Sequence, residues 1–306
     1  MRPPARHNAS VPYFSTYEPR AEAEAVRLIE RVDALATHHD VEHGGVRVRW
    51  RRFGDDTSNP PLVLLHGGHG SWMHWLRNAP ALSASRTVWL PDMPGFNDSD
   101  AMPEPAPGQS LLDAFLGTLG ATLDSLVGAE TEIDLGGFSF GGLIASKLGA
   151  RRGRIRRMVL MGSGGHATLR RMTVEMINWR AAADRDEERA ALLHNLAALM
   201  LHEKASIDAL AFAIHDISCH GTRFRSKEIS LSGGLQSALD TIGGPQLLLW
   251  GAYDVTADPR PLVAELVRDH PLREGAVIDG AGHWVQFERA DEVNARVLRF
   301  LSEPRA

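Results

Sequence analysis

Six short runs of apolar residues recur along the chain, separated by longer stretches in which apolar residues return at helical spacing. They occupy residues 62–65, 87–90, 133–135, 158–161, 246–250 and 276–278. Runs that are apolar throughout, rather than at every second position, are typical of strands buried on both faces. Such strands between helical stretches predict an α/β fold with a mostly parallel central sheet flanked by helices.

The chain before these runs predicts a helix and a hairpin. A helix is expected from residue 19 to about residue 37, because Val26, Ile29 and Val32 share one face. Residues 46–50 alternate between apolar and polar side chains after Gly44 and Gly45, as a half-buried strand after a turn does. Residues 1–18 predict an irregular arm, so residues 1–40 are assigned to an N-terminal arm and helix.

The strand spacing is regular except between residues 161 and 246. This interval contains three stretches that each predict a helix, at residues 173–183, 187–200 and 206–217. We therefore expect a helical cap at residues 165–240, inserted into a core domain formed by residues 41–164 and 241–306.

Composition narrows the classes of function. The 306 residues carry a formal net charge of −5, which offers no basic surface to nucleic acid, so no nucleic-acid partner is expected. Cys219 is the only cysteine, which excludes an intrachain disulfide. No apolar run approaches the ~20 residues that span a membrane, and the start lacks the apolar segment of a secretory signal. We expect a cytoplasmic protein with no membrane partner; the sequence leaves a homo-oligomer open.

The segment 137–141 reads Gly-Phe-Ser-Phe-Gly, and it lies between a predicted strand and a predicted helix. A serine on so tight a turn needs glycines beside it and is left exposed at the sheet edge. Ser139 is therefore the candidate nucleophile. The pentapeptide alone is a weak signal, because sequences of this glycine content often contain it by chance.

A glycine-rich loop follows the first of the six runs, as His66-Gly67-Gly68-His69-Gly70. Such a loop lets a backbone N–H approach a reacting carbonyl, so Gly68 is a candidate for one half of an oxyanion hole. The N–H of Phe140, the residue after the nucleophile, is the candidate for the other half. A plain turn is the alternative, and a metal site of His66, His69 and His74 is a weaker one, because no carboxylate or cysteine cluster accompanies them.

Two further candidates follow the last two predicted strands. Asp254 stands just after residues 246–250, and His283 lies in a glycine turn after residues 276–278. Ligands bind at the carboxyl ends of strands in open α/β sheets, where Asp254 can orient an imidazole. Asp258 is its competitor in the same loop, and either aspartate could instead cap a helix that begins near Pro259.

The order Ser139, Asp254, His283 is that of the α/β-hydrolases, and the sequence resembles this family over nearly all of residues 41–306. Residues 92–100 and 282–294 resemble segments of one group within it, the meta-cleavage-product hydrolases. These bacterial enzymes cut carbon–carbon bonds in ring-opened aromatic metabolites. Trp72 and the pair Arg77-Asn78 also fall where that group has a tryptophan and an Arg-Asn pair.

The resemblance and the apolar neighbours of the serine suggest contacts to an apolar or aromatic small molecule. The candidate substrate-binding residues are Trp72, His74, Phe138, His215 and Trp284. The sequence departs from the group in its shorter glycine loop and its two elbow phenylalanines. His74 stands where the group has an asparagine, and Ile214-His215 where it has a cap arginine, although Arg223 and Arg225 are nearby.

These observations predict a serine hydrolase that acts on a carbonyl compound without a metal or another cofactor. Its substrate is expected to be either an ester or a diketone of the meta-cleavage type. The alternative is a non-hydrolytic protein of this fold, which binds a small ligand or performs cofactor-free oxygen chemistry.

Overall fold

The central element is a single twisted sheet. The computed structural model describes residues 19–303, and the sheet has the strand order β1-β2-β4-β3-β5-β6-β7-β8. β1 and β2 are antiparallel to their neighbours, and every pairing from β4 to β8 is parallel. The strands are β1 (Thr37–His43), β2 (Val46–Phe53), β3 (Leu62–Leu65), β4 (Val88–Pro91), β5 (Ile133–Phe138), β6 (Ile155–Met161), β7 (Gln246–Gly251) and β8 (Arg273–Ile278). The α/β fold with a mostly parallel sheet is confirmed.

Helices cover both faces of this sheet, because the central strands are apolar on both sides. In β3, Leu62 and Leu64 belong to one buried cluster, whereas Val63 and Leu65 belong to the cluster on the opposite face. The helices are α1 (Pro19–Asp33), α2 (Ala79–Leu82), α3 (Leu111–Val127), α4 (Phe140–Arg152), α5 (Arg185–Asn195), α6 (Ala209–His220), α7 (Lys227–Leu231), α8 (Leu235–Asp240), α9 (Pro259–Val267), α10 (Val285–Glu288) and α11 (Ala290–Ser302). No helix within residues 19–303 is long and apolar enough to cross a bilayer.

The N-terminal helix is shorter than predicted. α1 ends at Asp33, because the chain must turn there to enter β1, the outer strand of the predicted hairpin. Ile29 and Val32 are buried as expected, but Val26 is 39% exposed. The predicted arm at residues 1–18 lies outside the described residues.

α1 is joined to two parts of the molecule. At its C-terminal end, the Asp33 carboxylate accepts a hydrogen bond of 2.5 Å from buried Arg51 of β2. Near its start, Glu22 forms an ion pair with Arg189 of α5, and the helix packs against α6. α1 therefore connects the sheet to the segment between β6 and β7.

That segment differs from the sequence prediction at its beginning. The predicted helix at residues 173–183 is wrong: only Trp179–Ala181 form a 3₁₀ turn, and the chain before them is irregular. Its apolar side chains, such as Val174 and Ile177, remain largely exposed, so there is no buried face to stabilise a helix. The other two predicted helices are present as α5, which continues into a π-helical turn at Leu196–Met200, and as α6.

Candidate active site

Ser139 stands on a sharp turn between β5 and α4. Its φ of 54° lies in the left-handed region, which costs energy for a residue with a side chain. The turn is possible because glycines surround it. A Cβ on Gly137 would lie 2.2 Å from the Gly141 carbonyl oxygen, and one on Gly141 would lie 2.3 Å from that of His66. The sequence G-x-S-x-G is thus required by close backbone contact at both glycines.

The hydroxyl of Ser139 is hydrogen-bonded to His283, which is hydrogen-bonded in turn to Asp254. The distances are 2.9 Å from Ser139 Oγ to His283 Nε2 and 2.7 Å from His283 Nδ1 to Asp254 Oδ2. Because an ionised carboxylate only accepts, Nδ1 carries the proton and Nε2 is free to accept from the serine. This arrangement can remove the hydroxyl proton as the oxygen attacks an electrophile.

Asp254 is held as an anion by its loop. Burial opposes its ionisation, but His283 and two hydrogen bonds from Thr256 hold the pKa of the Asp254 carboxyl below its usual value. The backbone N–H and the hydroxyl of Thr256 each donate to Asp254 Oδ1 at 2.7 Å. Asp258, the competing aspartate, precedes α9 with an exposed side chain and pairs with Arg171, so it does not reach His283.

The amides of Gly68 and Phe140 lie close together beside the serine. A Cβ on Gly68 would be 3.8 Å from the Cβ of Phe140, and both residues line the cavity that contains Ser139. Within residues 19–303, neither N–H donates a hydrogen bond. Two such free donors can accommodate a negatively charged oxygen.

His66, the first residue of the glycine loop, and His74, which follows the loop, accept hydrogen bonds from backbone N–H groups. The Met93 N–H donates to His66 Nε2 at 3.0 Å, and the Gly67 N–H donates to His74 Nδ1 at 3.1 Å. Burial lowers the pKa of His66 to about 4, despite the opposing charge of Asp92, and burial also lowers the pKa of His74 well below its usual value. Both rings are therefore neutral, and a ring nitrogen of each is occupied by a backbone N–H.

A cavity of about 450 Å³ opens above the serine. Ser139 and His283 line it from the sheet side, and residues of the 165–240 segment line most of the rest. The two elbow phenylalanines take different environments. Phe138 packs against the His283 ring with centroids 4.9 Å apart, whereas Phe140 packs among aromatic rings on the opposite face of the sheet. Both phenylalanines contribute to the cavity wall.

The predicted substrate contacts divide into two groups. Phe138 and His215 line the cavity, but Trp72, His74 and Trp284 lie beneath it and are at most 2% exposed. These three residues contact other protein groups instead. The Trp284 indole N–H donates to the His74 carbonyl at 3.1 Å, and the backbone N–H of Trp72 donates to the Asp92 carboxylate at 2.9 Å. They support the glycine loop from below, and the geometry does not bring them to a substrate in the cavity.

His215 and Cys219 form a neutral pair in the cavity wall. The Cys219 Sγ lies 3.6 Å from His215 Nε2. Burial raises the pKa of the Cys219 thiol to about 12 and lowers the pKa of His215 to about 4. Since a thiolate is the nucleophilic form of cysteine, this pair is not set up for nucleophilic attack.

The cavity wall is positively charged. Arg170, Arg180 and Lys227 line it, and no aspartate or glutamate of residues 19–303 does so. In the described part of the chain, none of these three cations pairs with a carboxylate; the Arg180 guanidinium instead lies 4.1 Å from the centre of the Trp179 ring. These three side chains are exposed at the cavity, and such a group of cations favours an anionic ligand over a cationic one.

Sequence reasoning missed several residues of the site. Thr256 could have been found from its spacing, because an aspartate often bonds the backbone two residues on. Ser226 gave no local signal, since it is distant in sequence from Ser139. Glu288 is only six residues after Gly282, but its contact with His202 lies 86 residues away and could not be predicted. Glu288 Oε2 accepts from the Gly282 N–H at 2.6 Å, and its Oε1 accepts from the N–H groups of His202 and Glu203 at 2.9 and 2.8 Å.

A serine elbow on a mostly parallel sheet, with aspartate and histidine after later strands, is the architecture of the α/β hydrolases. Residues 62–296 match the model of the alpha/beta hydrolase family. The chain belongs to this family.

Relatives and solved structures extend this result. The chain is 31% identical over 270 residues to the dihydrolipoyllysine-residue acetyltransferase component of an acetoin cleaving system from Pseudomonas putida, covering 85% of this chain and 68% of that protein. It is 28% identical over 295 residues to a 2-hydroxy-6-oxononadienedioate/2-hydroxy-6-oxononatrienedioate hydrolase from Burkholderia vietnamiensis, covering 90% and 98%. The structure of the esterase RhEst1 from Rhodococcus sp. ECU1013 shares the fold, with a TM-score of 0.71, 22% identity and coverage of 88% and 99%.

Proposed function

We propose that the protein is a serine hydrolase in which Ser139, His283 and Asp254 form the catalytic triad. The observation that carries this proposal is the continuous pair of hydrogen bonds, 2.9 and 2.7 Å long, from the elbow serine to a buried aspartate. The strained backbone at Ser139 supports it, because such strain is maintained where a function needs it.

In the proposed reaction, Ser139 Oγ attacks the substrate carbonyl carbon while its proton passes to His283 Nε2. The carbonyl electron pair moves to oxygen, which accepts hydrogen bonds from the Gly68 and Phe140 amides. Collapse of this intermediate expels the leaving group, which takes the proton from His283. Water then releases the acyl group by the same steps. Removal of one oxyanion donor costs roughly 10²–10³ in rate.

We propose further that the substrate is a small apolar carbonyl compound with a carboxylate, enclosed by residues 165–240 acting as a cap. Phe138, Phe140 and Met200 supply apolar walls, and Arg170 and Arg180 supply positive charge. The relative from Burkholderia vietnamiensis is named for hydrolysis of a dienedioate, an acid of this kind. These observations favour a carbon–carbon bond hydrolase over an esterase for neutral esters.

Labelling with a fluorophosphonate tests the nucleophile. We expect wild-type protein to react at one site, Ser139→Ala to remain unlabelled, and Ser125→Ala, an exposed serine of α3, to react like wild type. Tight binding of a small ligand by a wild-type protein that is never labelled would contradict the triad and favour the non-hydrolytic alternative.

Turnover of two substrates tests the bond that is cut. A 2-hydroxy-6-oxo-dienoate and a neutral short-chain aryl ester are compared at equal concentrations. We expect kcat/KM to be several-fold higher for the acid, since an ion pair with an exposed cation contributes up to about 1 kcal/mol and more than one cation lines the cavity. Preference for the neutral ester would leave the triad standing and overturn the assignment of the substrate.

A further inference from the structure

Ser226, directly before α7, is a buried residue in the cavity wall. The residue is 4% exposed and lines the same cavity as Ser139. Its carbonyl accepts the hydroxyl of Ser230 at 2.9 Å, but within residues 19–303 its own hydroxyl has no hydrogen-bond partner and does not cap α7. A hydroxyl that lines a cavity and has no protein partner is available to donate a hydrogen bond to a ligand there.

The hydroxyl lies next to Gly68, one of the two residues with a free amide. A Cβ on Gly68 would come within 2.4 Å of Ser226 Oγ and within 3.8 Å of the Phe140 Cβ. Gly68, Phe140 and Ser226 therefore surround one small volume beside Ser139. A larger residue at position 68 would have to displace the hydroxyl, which gives a second reason for glycine there.

We infer that Ser226 is a catalytic residue that donates its O–H to the oxyanion as a third donor, beside the amides of Gly68 and Phe140. This inference rests on the proposed serine hydrolase. As Ser139 Oγ bonds to the carbonyl carbon, the carbonyl electron pair moves to oxygen, and the Ser226 proton stays on its own oxygen while the hydrogen bond shortens. The donor comes from the 165–240 segment, so the full set of donors exists only when α7 lies over the elbow.

Removal of a donor used only in the transition state lowers kcat and kcat/KM equally and leaves KM unchanged. We expect Ser226→Ala to lower kcat about 10- to 100-fold, somewhat less than the loss of a main oxyanion donor in other enzymes. Ser226→Cys keeps the shape with a weak donor and should lose a similar factor. Ser226→Thr keeps the hydroxyl and should retain most of the rate.

The second-order rate of fluorophosphonate labelling tests this without knowledge of the substrate, because the phosphoryl oxygen occupies the oxyanion site. Ser232→Ala is the matched control, since its exposed hydroxyl donates to the Ile229 carbonyl at 2.8 Å. We expect labelling of Ser226→Ala and Ser226→Cys to slow about 10- to 100-fold, with Ser232→Ala and Ser226→Thr near wild type and all melting temperatures similar. The inhibition constant of phenylboronic acid should rise by the same factor.

The outcomes separate the inference from the function on which it rests. If wild-type protein is not labelled at Ser139, the proposed function is wrong. If wild type is labelled and folded Ser226→Ala and Ser226→Cys react equally fast, the third donor is wrong. A folded Ser226→Thr as slow as Ser226→Ala would also overturn it, because shape and not the hydroxyl would then be what matters.

Discussion

Glu288 gives the sharpest prediction about what holds the site together. Glu288 is 8% exposed, and its carboxylate accepts hydrogen bonds from three backbone N–H groups. One belongs to Gly282, next to His283, and the other two belong to His202 and Glu203 in the 165–240 segment. Each hydrogen bond to a charged group contributes about 1.5–3 kcal/mol to the free energy of unfolding. In a variant without the carboxylate, water can hydrogen-bond the N–H of the exposed His202, so part of this contribution is recovered there. We expect Glu288→Ala to lower the free energy of unfolding by about 3–6 kcal/mol.

Urea unfolding monitored by tryptophan fluorescence measures this loss. Glu292→Ala is the control, because the exposed Glu292 makes only a helical ion pair with Arg296, worth about 0.3–0.5 kcal/mol. The fraction of Glu288→Ala protein that stays folded should also react more slowly with a fluorophosphonate at Ser139, because the loop that carries His283 has lost its hydrogen bond to Glu288. A loss below about 1 kcal/mol would refute the reasoning, because the buried Gly282 N–H alone should cost about 1–3 kcal/mol when it loses its acceptor.

Three further predictions concern the surroundings of the triad. Thr256→Val removes a 2.7 Å hydrogen bond to Asp254 and should lower kcat about tenfold, or 1.4 kcal/mol, in steady-state assays; an unchanged kcat would contradict this. Because burial lowers the pKa of His66 to about 4, the unfolded state takes up a proton at this residue before the folded state does as the pH falls. The free energy of unfolding should therefore fall by on the order of 3 kcal/mol between pH 6.5 and pH 4, and by less in His66→Asn. Arg180→Gln should raise KM up to about fivefold for a carboxylate substrate but not for a neutral ester, since an ion pair with an exposed arginine contributes at most about 1 kcal/mol; equal KM changes would count against charge recognition.

The sheet and the positions of Ser139, Asp254 and His283 could be read from the sequence because their signals are local. Each buried strand is a continuous apolar run, and each of these residues stands just after one. Parallel pairing of β7 and β8 then brings the two loops after them together. The serine elbow needed only the glycines that its tight turn requires.

Most of the cavity lining could not be predicted, because it depends on how distant elements meet; of the five predicted contacts, Phe138 and His215 line the cavity. Trp72 and Trp284 follow the glycine loop and His283 in the sequence, yet their rings are buried in the core below the glycine loop. The irregular residues 166–178 form much of the cavity wall without the apolar period of a buried helix. The position of Ser226 beside Gly68 and the contacts of Glu288 with His202 and Glu203 join residues far apart in the chain, which no local pattern predicts.

The attachment of α1 has a consequence for the path by which a substrate arrives. Glu22 and the packing on α6 tie one side of the 165–240 segment to this helix, while Asp33 ties the helix to the sheet. Glu288 fastens the chain at His202 on another side. Residues 166–170 have no regular structure, and Leu169 among them is 91% exposed. The chain is held again from Arg171 onward, where its backbone N–H donates to the Val255 carbonyl at 2.8 Å, and at Ile177, whose N–H donates to Asn195 at 2.7 Å. We therefore expect a substrate to enter past residues 166–170, which can move while the anchored helices and the residues around Ser139 stay in place.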